Sequence, residues 1–154
     1  METEVLYYKK FERKVLAIDY IEWASTMLQN GISTHYLNML ASLTEPLNIF
    51  EVEEYFNRAW YELNITGPSY DESAKHYVRY LLRQIVDDPR IAIENANEVY
   101  TIVRDHFFNE EHDRWYAISE MIDDFLYGDN SDNINRSSLN QVIVQVSKQH
   151  LKTK

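Results

Sequence analysis

The sequence predicts an all-α protein, an irregular bundle of about six to seven helices around one packed core. Three observations lead there. Gly 3 and Pro 3 in 154 residues are too few for the turns of a sandwich or barrel. Apolar residues recur at three- and four-residue spacing nearly throughout, and the breaks fall at capping and turn residues. A chain of this length with 45% hydrophobic residues buries roughly 68–70% of its unfolded surface, enough for a core. Length leads us to expect a single helical domain over 1–154.

The first segment, about Glu2 to Asn30, reads as one helix that stops at Asn30-Gly31, since glycine takes the left-handed conformation without a Cβ penalty. Leu16, Tyr20, Trp23 and Met27 form its stripe, widened by Val15, Ile18, Ile21 and Leu28. Ser33 can cap a short helix through Leu43, and Pro46 punctuates the loop beyond. The next start is the clearest in the chain. Asn48 at the N-cap and Glu51 at N3 resemble a capping box, and Leu47 with Val52 can form a hydrophobic staple. Val52, Phe56, Ala59, Trp60 and Leu63 then face inward, ahead of Gly67-Pro68.

Ser69 or Asp71 opens a fourth helix with Ala74, Tyr77, Val78, Leu81, Leu82 and Ile85 on one face. Pro89 suits the first turn of a fifth, which carries Ala92, Ala96, Val99 and Val103 inward. A sixth runs from about Glu111 to Tyr127 and stops at Gly128, with Trp115, Ile118, Ile122 and Phe125 as its buried stripe. Residues 130–135 read as a loop, and 136–154 as a carboxy-terminal helix. Within that last stretch the β-branched run Val142-Ile143-Val144-Gln145-Val146 also fits a strand by alternation and propensity, but no second clear strand exists to pair with it.

Composition excludes several classes of function. Twenty-five acids against fifteen bases give a net charge of −10, which argues against binding a nucleic-acid backbone. No apolar run approaches the roughly 20 residues that cross a bilayer, so no membrane association is expected. Met1-Glu2-Thr3-Glu4 lacks a basic leader, which points to the cytoplasm. Without cysteine there is no disulfide framework, thiolate nucleophile or zinc finger. No phosphate-cradling glycine loop, nucleophile elbow or zincin helix occurs. Asp129-x-Ser131-x-Asn133 begins like a calcium loop but has Ile134 where the turn needs glycine and Asn140 where a bidentate Glu belongs. His106 and His112 beside Glu110, Glu111 and Asp113 allow a metal-dependent enzyme, though ordinary solvated residues fit that spacing equally well. The expectation is therefore a non-enzyme with no cofactor, no catalytic residue and no metal site.

Charge placement is more informative than any motif. Residues 105–132 carry nine acids and only Arg114, whereas 135–154 carry four bases and no acid. Opposite the buried stripe of the sixth helix stand Asp113, Tyr116, Glu120, Asp123, Asp124 and Tyr127. Tyrosines among carboxylates combine large, low-entropy contact surface with electrostatic steering, the chemistry of a site for a basic protein partner. A solvated helix face that only aids solubility is the competing reading, and the basic tail could fold back to neutralise the patch.

Asp19-Tyr20-Ile21-Glu22-Trp23-Ala24, Leu40-Ala41-Ser42-Leu43 and the run from Pro46 to Phe56 resemble a pattern found in bacterial all-helical proteins of uncharacterised function, over about the first 65 residues. In size, acidity and helical build the chain is also similar to small immunity proteins that neutralise bacterial nuclease toxins. Together these imply a non-enzymatic bacterial interaction protein, most concretely an immunity- or antitoxin-type inhibitor that occludes a basic toxin through the six residues above. The alternative is a self-associating structural or regulatory helical module, and a homo-oligomer is compatible with either.

Overall fold

The computed structural model describes residues 1–107 and 110–153; Lys154, the last residue of the expected helix 136–154, lies outside them. The protein is all-helical, with eight α-helices and no strand among the described residues. Its contacts group into two compact units, Met1–Ser73 and Ala74–Lys154. No helix among the described residues is long and apolar enough to cross a membrane.

The first unit contains α1 (Thr3–Phe11), α2 (Ala17–Gln29), α3 (His35–Ala41), α4 (Ile49–Leu63) and the opening turn of α5 (Tyr70–Asp87). The expected single helix over Glu2–Asn30 is two helices, which accounts for eight rather than six or seven. The break is a Schellman motif: Lys14 N–H donates to Lys9 O at 2.9 Å and Arg13 N–H to Lys10 O at 3.1 Å, satisfying the last carbonyls of α1. Arg13 occupies the left-handed position at φ 55°, where glycine is the usual residue. Asp19, buried at the third position of α2, starts the next helix. Its carboxylate accepts from Leu16 N–H at 2.7 Å and from Lys9 Nζ at 3.0 Å. Leu16 and Ile18 consequently leave the expected stripe and are exposed, while Tyr20, Ile21, Trp23 and Ala24 are buried.

The later boundaries follow the sequence more closely. Gly31 sits at φ 85° and ends α2, with Ile32 N–H donating to Met27 O at 3.0 Å. Thr34 rather than Ser33 caps α3, accepting from Leu37 N–H at 3.3 Å; the Ser33 hydroxyl instead takes Asn38 Nδ2 at 2.7 Å. Asn48 Oδ1 accepts from Phe50 N–H at 2.9 Å and Glu51 N–H at 3.4 Å, as its position predicts. Asn48→Ala is expected to lower stability by about 1 kcal/mol, with Asn48→Ser nearly silent; urea midpoints of the two variants check this.

Leu6 of α1, Tyr20 and Trp23 of α2, Leu37 and Leu40 of α3, and Val52, Phe56 and Ala59 of α4 form the core of this unit. Trp23 is fully buried. Its ring meets Phe56 edge-on at 5.0 Å, and its indole N–H donates to Thr3 Oγ1 at 3.0 Å.

The second unit holds the rest of α5, a 3-10 turn at Pro89–Ile91, α6 (Ala92–His106), α7 (Glu110–Tyr127) and α8 (Arg136–Lys152). All six apolar residues expected on the α5 face are buried, as are Ala92, Ala96, Val99 and Val103 of α6. On α7, Trp115, Ile118 and Ile122 are buried, and Phe125 is half-buried. The run 142–146 is helical. Leu139, Ile143, Ser147 and His150 are the buried residues of α8, a spacing of four, four and three that belongs to one helix face and not to a strand. Asn135 caps α8 by accepting from Ser138 N–H at 2.8 Å. At its other end, Arg79 of α5 donates to Leu151 O at 2.9 Å and Thr153 O at 3.2 Å, covering carbonyls that have no partner within the helix.

Candidate functional site

Helix α7 presents two faces. Trp115, Ile118 and Ile122 pack inward against α6 and α8, which both contact α7. At about 100° per residue, Asp113, Tyr116, Glu120, Asp123, Asp124 and Tyr127 fall within an arc of roughly 100° on the outer side, over about 21 Å of axis. The structure brings all six together on that face. Asp113, Tyr116, Glu120, Asp123 and Tyr127 are exposed and Asp124 is half-buried. Tyr127 is 85% exposed, too open for a core role. Gly128 ends the helix in a tight position, where a Cβ would lie 3.0 Å from the Asp124 backbone and would have to displace the Asp124 carboxylate.

Charge on the face is largely uncompensated. Asp113 Oδ1 is 3.4 Å from His112 Nδ1. Glu120, Asp123 and Asp124 are in no ion pair among the described residues. The basic tail does return to this unit, because α8 packs on α6 and α7, but its exposed cations do not reach these carboxylates. Arg136 instead lies over the Phe125 ring at 5.8 Å from its centroid.

No family model matches the chain, and no curated protein or solved structure matches it.

Two groups around α7 escaped the sequence reading. The first extends the aromatic surface: the Tyr100 ring of α6 stands 6.2 Å from Tyr116 and 6.5 Å from His112. Helical spacing within α7 gives no sign of a residue on its neighbour. The second is internal. Glu111, one of the nine acids of 105–132, is buried and not part of the outer face. Its carboxylate accepts from Arg114 Nη1 at 3.3 Å and Thr153 Oγ1 at 3.4 Å, and lies 3.2 Å from His150 Nδ1. Trp115 Nε1–H donates to that same His150 nitrogen at 3.0 Å. His150, for which the sequence suggested no partner, thus ties the end of α8 to the start of α7.

Burial, with Arg79 and Arg114 nearby, pushes the His150 imidazole down to about 4. A neutral ring with its proton on Nε2 leaves Nδ1 free to accept the indole N–H. His106 ends α6 and His112 lies in the first turn of α7. Neither joins a cluster of three metal-ligand atoms among the described residues.

Proposed function

We propose that this chain is a non-enzymatic interaction protein that docks a basic protein surface on the outer face of α7. Its concrete form is an immunity- or antitoxin-type inhibitor that covers the cationic groove of a nuclease-like toxin. One observation carries the reading: exposed Tyr116 and Tyr127 share a face with Glu120, Asp123 and Asp124, carboxylates without ion-pair partners among the described residues. Tyrosines provide anchoring area with few rotatable bonds, and free carboxylates steer a cationic partner and pair with it at the rim.

Affinity capture from the native cells tests this, with elution by a salt gradient and the Asp123→Asn/Asp124→Asn variant run alongside. One basic protein released at moderate salt is expected, bound at least about tenfold less well by the variant, with the helical circular dichroism unchanged. Equal capture by both proteins would remove α7 from the reading.

A further inference from the structure

Helix α8 carries the sequence's least helix-like run, and only one residue of that run is fully packed inward. Of residues 142–146 only Ile143 is buried. Val142, Val144 and Val146 line an open groove of about 1040 Å³ together with Pro89, Arg90 and Arg136. An outward valine costs a helix on the order of 0.5 kcal/mol relative to alanine. Val142 is exposed and Val144 and Val146 are half-buried, so the groove keeps an apolar lining open to solvent, the pattern of a surface that packs against something else. The charges carried by α8 have one sign. Gln141, Gln145, Lys148 and Lys152 follow one another at helical spacing along the exposed ridge of α8. Arg90 is engaged by Asp88 at 2.8 and 3.0 Å. Arg136, Lys148 and Lys152 are exposed and in no ion pair among the described residues.

We propose that this groove seats helix α7 of a second copy of the chain. The inference rests on reading α7 as a docking face and assigns that face a self-masking partner. Charge complementarity carries the choice of occupant. The chain's own α7 offers free carboxylates at Glu120, Asp123 and Asp124, with exposed Tyr116, Leu126 and Tyr127 to cover the valines. The two outer surfaces cannot cover each other within one copy, because α7 and α8 already pack through their buried faces. A two-fold axis lets two copies exchange them, so that both contacts form at once and the assembly closes as a dimer. The net charge of −10 opposes approach at long range. At physiological ionic strength that repulsion is screened beyond about 8 Å, which leaves the docked state to local complementarity. A basic partner would then compete with the second copy for α7.

Sedimentation velocity across concentration and salt tests the proposal on three proteins: the wild type, Glu120→Lys/Asp123→Lys, and Lys148→Glu/Lys152→Glu. The wild type should dimerise and dissociate with added salt, a readout that needs no variant. Each variant alone should self-associate at least about tenfold more weakly. Mixed in equal amounts they should form a heterodimer, since both interfaces regain opposite charges, and circular dichroism checks that each is folded. A wild type that stays monomeric, or variants that fail to combine, would overturn the second copy as occupant. Capture of a basic protein that survives Lys148→Glu/Lys152→Glu but not Glu120→Lys/Asp123→Lys, without self-association, would do so too while leaving α7 as a docking face.

Discussion

Trp23→Ala is expected to destabilise the protein by about 3–5 kcal/mol, the range for emptying a buried tryptophan site. The indole is fully buried and sits where α1, α2 and α4 meet. It packs on Phe56 at 5.0 Å and lies 6.2 Å from Trp60, so its removal leaves a cavity among close-packed rings. Its N–H also joins the first helix to the second through Thr3 Oγ1 at 3.0 Å. Thr3→Val keeps the shape, removes the acceptor, and is expected to cost about 1–3 kcal/mol for the donor left without a partner. Urea unfolding of both variants separates packing from hydrogen bonding. Equal losses in the two would mean that the cavity contributes little.

Acidification should weaken the protein through His150, by on the order of 2–3 kcal/mol between neutral pH and pH 4. The ring is held down to about 4, first by burial and then by Arg79 and Arg114. Its other neighbours are Glu111, Trp115, Thr153 and Phe107, whose ring lies 6.0 Å away. The Glu111 carboxylate favours a charged ring. Burial of the ring and the charges of Arg79 and Arg114 outweigh it. In the unfolded chain the imidazole returns to its ordinary value near 6.5, so the unfolded state binds more protons as pH falls. The stabilisation is therefore complete above about 6.5, declines through the window down to about 4, and falls no further below it. Carboxylates elsewhere also titrate near the lower end, so the decisive comparison is with His150→Gln, which still offers the indole an acceptor. The variant should show a flatter loss between pH 6.5 and 4; parallel curves would mean that His150 does not titrate as its surroundings require.

The parts of the fold that could be read from sequence are those in which one segment supplies both the signal and the structure. Asn48 caps its own helix, Gly31 takes its own left-handed turn, and the stripe of α7 repeats within α7. The split of the first segment was not legible, because its stop uses Arg13 where glycine would announce it, and the Schellman bonds are made by backbone atoms. The candidate face was legible as a set of six residues on α7. Its extension to Tyr100 and the removal of Glu111 from the acidic surface were not, because both depend on neighbouring helices.

By itself the sequence determined the helical class, most helix boundaries, which side of α4, α5, α6 and α7 is apolar, and the concentration of acids on one helix and bases on the next. Helical periodicity and composition are local quantities, and these features need nothing more. Tertiary structure alone decided which charges are internal, which remain without ion-pair partners, and which apolar residues stay outside. Glu111 and His150 lie 39 residues apart and meet only because α7 and α8 pack together, and Val142 stays exposed because the packing of α8 claims Ile143.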